Sequence, residues 1–401
     1  HKKKTGSTSE QRKMFQEALV LHRSGQLDLA ETKYKKLLDF LPNNIDLLTN
    51  LGTIALQKGM LEEGVKIINS SLLINPNQST AHNNCGNALK ELKRFDEALA
   101  SYDRAIELKL NDAEVYSNRG LALHELKKTD EALASYDYAI SLKPDYADAY
   151  FNRGFTLHKL NRLNEALASY DRAIEFKSNY AEAYFSRGNV FRDLKELNKA
   201  IESYDRAISF KPDYADAYFN RGLRLHELNR LNEALASFNR AIELKPDIDF
   251  LLSYLIYTKM QLCIWDDFPQ RLNELTKKII NNEKVAVPFP VLALIDEPEI
   301  QRKTNEIYVK NECPMINVLP KIKRYPKHSK IRIGYFSADF HNHATMHLMA
   351  ELFERHDKKK FELIAFSFGP DKKDEWRQRV LLCFDQFVDV RLKSDQEISL
   401  L

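Results

Sequence analysis

The sequence is poor in the residue types that mark several protein classes. It has four cysteines in 401 residues, far apart in the chain (Cys85, Cys263, Cys313 and Cys383), and no Cys-x-x-Cys pair. Disulfide frameworks and zinc knuckles use closely spaced cysteines, so we expect neither, and a reducing, cytoplasmic location is the default expectation. No apolar run approaches the ~18–20 residues of a transmembrane helix, and no signal-peptide core is present, so we expect no membrane partner.

A charge excess of one sign is also missing. Lysine and arginine number 60 and aspartate and glutamate 57, which leaves a formal charge of +3. Such a balance gives no reason to expect nucleic acid or an anionic membrane as a partner. The length is enough for two or more domains and a large core.

Glycine is scarce as well, with 12 copies, yet half of them recur at a period of 34 residues. These six are Gly52, Gly86, Gly120, Gly154, Gly188 and Gly222. A small residue follows each glycine twelve positions later, an aromatic follows that one by four in five units, and proline ends most units. An earlier unit fits around Ala18 and Tyr34. A fixed period of this length indicates stacked repeats. We therefore predict seven repeats over residues 9–246, after a disordered tail at residues 1–8.

Each unit contains two amphipathic segments of about a dozen residues, which predicts a helical hairpin. Small residues such as Gly154 and Ala166 let its two helices approach closely. The pattern closely resembles the tetratricopeptide repeat, and this resemblance implies a right-handed α-solenoid with a concave groove.

Two residues before each glycine, an amide side chain recurs. The column consists of Asn50, Asn84, Asn118, Asn152 and Asn220, with Ser186 in one unit and Gln16 in the first. An amide both donates and accepts hydrogen bonds, so a column facing the groove could hold the backbone of an extended acceptor peptide of any sequence. The alternative is duplication, in which copied units inherit the residue without a role.

Two further columns are cationic or titratable. His124, His158 and His226 follow the glycine by four residues, and we predict groove or surface residues, because helices ~8–10 Å apart cannot share one metal ion. Arg119, Arg153, Arg187 and Arg221 form the other column. We predict a stripe of salt bridges between repeats, with contact to acidic substrates as the alternative.

The sequence pattern changes after the repeats. Residues 247–282 stay apolar and helix-like, and part of them should cap the last repeat. Residues 283–329 are rich in proline, including Pro314, Pro320 and Pro326, which predicts a linker with one helix near residues 297–310. From Lys330, strand and helix patterns alternate: KIRIGYFSADF is a buried strand, ATMHLMAELFERH a helix, FELIAFSFG a strand, KKDEWRQRVLLCF a helix and QFVDVR a third strand. Residues 330–401 thus predict the start of a parallel, Rossmann-like α/β sheet.

This C-terminal part also resembles a known enzyme family. DFHNHATMHLMAELFERHD followed by FELIAFSFGPD looks like the start of the catalytic region of protein O-GlcNAc transferases, the GT-B enzymes of glycosyltransferase family 41. CIWDDFPQRLNELTKKI and PFPVLALIDEPEIQRKTNEIY look like the connector of the bacterial members.

The resemblance implies two Rossmann-like lobes with UDP-N-acetylglucosamine between them, and inverting transfer of the sugar to Ser or Thr hydroxyls without a metal or another cofactor. It places His343 in the active site as the candidate catalytic residue, with Ala344 where the family often has proline. The family's other donor-binding residues belong to the second lobe. We therefore expect the chain to end inside the catalytic region and to be inactive by itself.

Apart from the resemblance, the residue types also predict a ligand site in the loop after the first strand. Ligands of open α/β sheets bind beyond the carboxyl ends of the strands, where His341 and His343 lie. The following helix should be capped by Thr345 and offer free N–H groups to a diphosphate. A histidine here could accept a hydroxyl proton or donate to a phosphate oxygen. The spacing His341, His343, His347 would also suit a metal, but loop and helix would have to converge with only Asp339 nearby, so we predict none.

Two other functions stay open from the sequence. One is a non-enzymatic adaptor whose repeats bind a partner protein. The other is a related transferase that uses another nucleotide sugar, such as a fucosyltransferase.

Overall fold

The repeat region forms helical hairpins throughout the residues that the computed structural model describes, which are 8–108, 112–312, 328–393 and 397–398. The chain divides into two compact units, His1–Tyr308 and Val309–Leu401. Seven hairpins follow one another in the first unit: α1 (Thr8–Arg23), α2 (Leu27–Leu38), α3 (Ile45–Gln57), α4 (Leu61–Ile74), α5 (Ser79–Glu91), α6 (Phe95–Leu108), α7 (Ala113–Glu125), α8 (Thr129–Leu142), α9 (Ala147–Lys159), α10 (Leu163–Phe176), α11 (Ala181–Asp193), α12 (Leu197–Phe210), α13 (Ala215–Glu227) and α14 (Leu231–Leu244).

The periodic glycines permit the close packing inside each hairpin. A Cβ atom on Gly120 would lie 2.5 Å from the Tyr136 ring, and one on Gly154 would lie 2.9 Å from the Tyr170 ring. Both rings are fully buried, so they have little room to move. The prediction that small residues let the two helices approach closely is confirmed, and the aromatic ring packs on the glycine of its own hairpin.

The turn inside each hairpin uses one residue in the left-handed conformation. Its φ angle lies between 57° and 77° at Gly25, Gly59, Lys93, Lys127, Asn161, Lys195 and Asn229, and again at Cys263. The 34-residue spacing thus extends one unit past the predicted end of the repeats. There, α15 (Leu251–Gln261) packs on α14 and is followed by α16 (Phe268–Ile280).

The proline-rich segment is more helical than the sequence predicted. Besides the expected helix, now α18 (Pro298–Glu312), a short helix α17 (Pro288–Leu294) is present. The prediction of a single helix is wrong because Pro288 occupies the first turn of α17, where the missing proline N–H costs no hydrogen bond. The predicted disordered tail, apart from Thr8, and the linker prolines Pro314, Pro320 and Pro326 lie outside the described residues.

The second unit contains the predicted parallel sheet. Its elements are β1 (Ile331–Ser337), α19 (Ala344–Glu354), β2 (Phe361–Ser367), α20 (Glu375–Leu381) and β3 (Gln386–Asp389). The strand order is β1-β2-β3, and both strand pairs are parallel. Met346, Phe353 and Val380 of the two helices pack with Leu363 and Ala365 of β2 in one apolar core.

The prediction that β1 is a buried strand is wrong. No β1 residue is fully buried, and the Phe336 side chain is 59% exposed. The strand lies at the edge of the sheet in the described residues, and α19 and α20 contact the face that carries Ile333 and Tyr335. Phe336 points to the opposite face and stacks on Phe366 at 4.5 Å.

None of the helices in the described parts of the chain is both long enough and apolar enough to cross a membrane.

Candidate functional site

The loop after β1, residues 338–343, carries the two predicted site histidines, and we call it the histidine loop. The end of β2 approaches it closely: a Cβ atom on Gly369 would lie 1.7 Å from the Ala338 carbonyl oxygen. Only glycine fits there, because the neighbouring atom is backbone and cannot rotate away. The Asp339 N–H donates to Ser337 Oγ at 2.9 Å, which holds the start of the loop to the strand end.

His343 is the N-cap residue of α19. Its Nδ1 accepts a hydrogen bond from the Thr345 N–H at 3.2 Å, and its carbonyl oxygen accepts from the Met346 N–H at 2.9 Å. The prediction that Thr345 caps the helix is therefore wrong: the Thr345 N–H is the group that is capped. Thr345 Oγ1 instead donates to Asp339 Oδ2 at 3.2 Å. Fewer free N–H groups remain at this helix end than the sequence suggested, because the cap uses one of them.

The cap also determines which nitrogen of His343 is available. Nδ1 is engaged within the loop, by the Thr345 N–H at 3.2 Å and by Thr345 Oγ1 at 3.0 Å, which leaves Nε2 as the ring nitrogen that can face a ligand. The His343 side chain is 46% exposed, so the ring is accessible to a ligand. Asp339 Oδ2 lies 3.5 Å from Nδ1 and places a negative charge behind the ring. Both chemical roles considered from the sequence, donation to a phosphate oxygen and acceptance of a hydroxyl proton, would use Nε2.

His341 and His347 do not converge with His343 on one point. His341 is buried, with only 7% of its surface exposed, and its ring lies 5.9 Å from that of His343. The His347 ring instead packs 4.0 Å from Trp376, and its Nε2 lies 3.1 Å from Asn342 Oδ1. Across the described residues, no three His, Cys, Asp or Glu side chains are grouped as metal ligands.

One buried cation at the site was missed by the sequence analysis. Arg377 is 7% exposed, and its Nη1 donates to the Phe340 carbonyl oxygen at 3.2 Å and to Ser367 Oγ at 3.1 Å. Its guanidinium also lies 4.2 Å from the centre of the Phe387 ring. Burial lowers the pKa of this guanidinium from its ordinary value. Arg377 therefore joins the histidine loop to the ends of β2 and β3. No local sequence motif indicates that role.

Asp374 supports the same loop from the other side. One carboxylate oxygen accepts from the Asn342 N–H at 2.9 Å, and the other caps α20 by accepting from the Arg377 N–H at 2.8 Å. These two backbone hydrogen bonds hold the pKa of Asp374 below its ordinary value.

In the repeats, the asparagine column divides into two kinds. Three members donate to the residue that follows the glycine of the preceding repeat: Asn84 to Thr53 at 3.3 Å, Asn118 to Asn87 at 3.1 Å and Asn220 to Asn189 at 3.0 Å. Asn118 Oδ1 also accepts from Lys90 Nζ. A signal was present in the sequence, because Thr53, Asn87 and Asn189 are polar where the other repeats have Leu121, Phe155 and Leu223.

The other two members make no hydrogen bond between repeats in the described part of the chain. Asn50 donates to the Asp46 carbonyl oxygen of its own helix at 2.7 Å. The Asn152 side chain has no hydrogen-bond partner among the described residues, because its neighbour in the preceding repeat is Leu121. Asn152 is thus the member whose amide is available to a ligand without first breaking a bond.

The arginine column forms the predicted bridges between repeats. Each arginine pairs with an aspartate of the preceding repeat and a serine of its own: Arg119 with Asp103 and Ser135, Arg153 with Asp137 and Ser169, Arg187 with Asp171 and Ser203, and Arg221 with Asp205 and Ser237. These guanidinium groups are engaged inside the array, which confirms the structural interpretation of the column.

The histidine column also connects neighbouring repeats. His158 Nε2 lies 2.6 Å from Asp193 Oδ2, and His226 Nε2 lies 2.7 Å from Gln261 Oε1. His124 Nδ1 lies 3.0 Å from Thr156 Oγ1, and burial lowers the pKa of this ring. The three rings therefore make contacts between repeats.

Known families match both units. Residues 86–228 match a tetratricopeptide-repeat model in four overlapping copies, and residues 215–248 match a second model of that repeat. Residues 262–396 match the model described as glycosyl transferase family 41. The chain fits the family of O-GlcNAc transferases with tetratricopeptide repeats. The family 41 match begins within the connector that the sequence analysis singled out, which confirms that part of the resemblance.

Individual relatives agree with this assignment. A probable UDP-N-acetylglucosamine–peptide N-acetylglucosaminyltransferase SEC from Arabidopsis thaliana is 27% identical over 161 residues, which are 36% of this chain and 16% of that protein. The corresponding enzyme of Caenorhabditis elegans is 33% identical over 61 residues, 15% of this chain and 5% of that protein. The chain thus spans a sixth or less of the length of these curated relatives.

Among solved structures, a tetratricopeptide repeat protein from Parabacteroides merdae ATCC 43184 matches 62% of this chain and 99% of its own, with a TM-score of 0.50 and 19% identity. This likeness supports the repeat fold.

Proposed function

We propose that this protein is a protein O-linked N-acetylglucosaminyltransferase that works without a metal or another cofactor. The observation that carries the proposal is the presence, in one chain, of tetratricopeptide repeats and a family 41 segment. In the proposed reaction, a Ser or Thr hydroxyl oxygen of an acceptor protein bonds to the anomeric carbon of the sugar. The bond from that carbon to the phosphate oxygen breaks, UDP leaves with the electron pair, and the hydroxyl proton is released.

The histidine loop would contribute to the nucleotide-sugar side of this reaction. We assign to His343 the donation of a hydrogen bond from Nε2 to an oxygen of the bound donor, which supports the leaving of UDP. Thr345 and Asp339 would orient the ring from behind, and His341 would lie in the vicinity of the donor. Arg377 would act as a positioning residue, because it contacts the loop backbone rather than a ligand.

The repeats would bind the acceptor polypeptide. Asn152 is the residue of the asparagine column best suited to this role, because its amide group is not engaged within the described structure. Asn84, Asn118 and Asn220 would support the array by joining neighbouring repeats.

The test is a transfer assay on the natural full-length protein that carries this sequence. We expect UDP release and a mass increase of one N-acetylhexosamine on Ser- or Thr-containing acceptor peptides with UDP-N-acetylglucosamine, and none with GDP-fucose. Chelation with EDTA should leave the rate unchanged. His343→Ala should lower kcat by about 10²-fold, the usual loss for one donor to a developing charge. The matched control is His328→Ala, which changes an exposed histidine ahead of β1.

Transfer from GDP-fucose instead would reject the proposed sugar. Absence of transfer from either nucleotide, together with capture of a partner protein by the repeats, would favour the adaptor. Equal rates in the His343→Ala and His328→Ala variants would overturn the role of His343.

A further inference from the structure

The interface between the first and second repeats contains a cavity of about 610 Å³. Its apolar walls come from Phe15, Leu37, Leu41 and Leu47, and its polar rim includes Arg12, Gln16, Asn44 and Asp46. The volume lies within the range of ligand sites in proteins, which is about 300–1,000 Å³. We call this cavity the repeat-1 socket.

The equivalent place four periods later in the chain is filled by the protein itself. There Tyr180 packs its ring 5.1 Å from Phe151, in an apolar cluster with Ala173 and Ala183. The next interface repeats the arrangement, with Tyr214 4.8 Å from Phe185. An aromatic side chain from the following repeat therefore completes these two interfaces.

At the first interface that aromatic side chain is missing. Phe15 corresponds to Phe151, but Asn44 stands where Tyr180 would be. Asn44 does not fill the space, because its side chain accepts a hydrogen bond from the Leu47 N–H at 3.0 Å as the cap of α3. The apolar wall is nevertheless retained, since Leu37 and Leu47 replace Ala173 and Ala183.

The charge at the rim changes in the same comparison. Around Tyr180, the Asp148 carboxylate forms an ion pair with Lys177 at 3.8 Å, and the Lys177 ammonium lies 3.9 Å from the centre of the tyrosine ring. The equivalent positions at the first interface are Arg12 and Leu41.

Arg12 is exposed and has no ion-pair partner in the described part of the chain. Asp46 also lies on the rim, but its counterpart Glu182 is acidic too, so it does not distinguish the two interfaces. The change from Asp148 to Arg12 removes a carboxylate from the rim, and because Leu41 replaces Lys177, Arg12 is the cation that the lining of the socket offers to a carboxylate.

We propose that the repeat-1 socket binds an aromatic side chain of a partner polypeptide whose neighbouring residue is Asp or Glu. The ring would take the place that Tyr180 and Tyr214 occupy in the later interfaces, against Phe15. The adjacent carboxylate would meet Arg12. Aromatic burial would supply most of the affinity, and the exposed ion pair would supply selectivity. This binding is independent of glycosyl transfer and can be measured without it.

The probes are two fluorescein-labelled peptides, SGEFDGS and SGKFKGS, titrated with the full chain and followed by fluorescence anisotropy. We expect the acidic peptide to bind at least about tenfold more tightly than the basic one at low salt. Arg12→Glu should reverse this preference. Lys66→Glu, which introduces the same charge change at an exposed position of α4, should leave the preference as it is.

Asn44→Tyr should abolish the binding of both peptides by filling the socket from within. The fold should tolerate this change, because α11 and α13 begin after Tyr180 and Tyr214 without a side-chain cap. A melting temperature at or above that of the wild type would show that the variant is folded. Undiminished binding by this folded variant, no binding by the wild type, or equal binding of the two peptides would each overturn the proposal.

Discussion

The two units use arginine in opposite ways. In the repeats, four equivalent arginines each bridge two neighbouring hairpins, and their side chains keep between 20% and 26% of their surface exposed. In the α/β unit, the single Arg377 is buried and joins the histidine loop to two strand ends. The repeats thus distribute one interaction over many interfaces, whereas the candidate site uses one buried arginine, alongside Asp374, to hold the histidine loop.

The largest effect should come from Arg377→Met. This change removes two hydrogen bonds and leaves the Phe340 carbonyl and the Ser367 hydroxyl without their partner, so we expect a loss of about 3 kcal/mol from the stability of the α/β unit. Hydrogen exchange of the β2 amides, Phe361–Ser367, measures it. Arg379→Met is the control, since Arg379 is exposed and its side chain contacts Glu354 and the Trp376 ring rather than the histidine loop. Equal protection in both variants would contradict the role of Arg377.

A repeat arginine should matter less. Arg153→Met removes a partly exposed ion pair to Asp137 and a hydrogen bond to Ser169, for which we expect a loss of about 1 kcal/mol. The double variant with Arg221→Met, two repeats away, should lose the sum of the two single effects, because distant sites act independently. Urea unfolding followed by circular dichroism at 222 nm gives the values. A loss for Arg153→Met as large as that for Arg377→Met would remove the contrast between the units.

The two kinds of asparagine in the column should differ in how much their replacement lowers stability, and this difference is smaller. Asn118→Ala breaks contacts to Asn87 and Lys90 and should cost about 1 kcal/mol of stability. Asn152→Ala breaks no hydrogen bond in the described structure, so its melting temperature should stay near the wild-type value while acceptor-peptide binding weakens. Calorimetry and a peptide titration test this together. A loss of stability in Asn152→Ala without a loss of binding would count against the acceptor role.

The smallest effect concerns pH at the histidine loop. The folded-state pKa of Asp374 is depressed, so its contribution to stability is present above the ordinary pKa of about 4 and is lost as the pH falls through the folded value. Exchange of the Asn342 amide should therefore accelerate, relative to a reference amide in β2, as the pH falls below about 4. Asp374→Asn should remove this pH dependence, and a pH dependence that persists in the variant would exclude Asp374 as its source.

The sequence predicted what depends on local periodicity. The glycine spacing located six hairpins, Ala18 and Tyr34 located the first one, and the alternation after Lys330 located three strands and two helices. It missed contacts between residues that meet only in the folded chain, such as Arg377 with Phe340 and Ser367. It also assigned the α19 cap to Thr345, because statistical preferences rank threonine above histidine at helix starts. The loop geometry instead brings His343 Nδ1 to that position.

The left-handed turn at Cys263 has a practical consequence for dissecting the protein. The spacing of the repeats extends to this residue, while the match to the transferase family begins at residue 262. Ile248, Leu251 and Leu255 at the start of this hairpin pack in one core with Phe238 of the last repeat. An expression boundary at residue 246 would therefore strip the last repeat of its apolar cover, and one at residue 262 would cut through a hairpin. Leu275 and Ile279 of this hairpin pack in turn with Val291 of α17 and Ile300 of α18. A separately produced repeat domain should therefore extend through the end of α18 at Glu312, well into the segment that matches the transferase family.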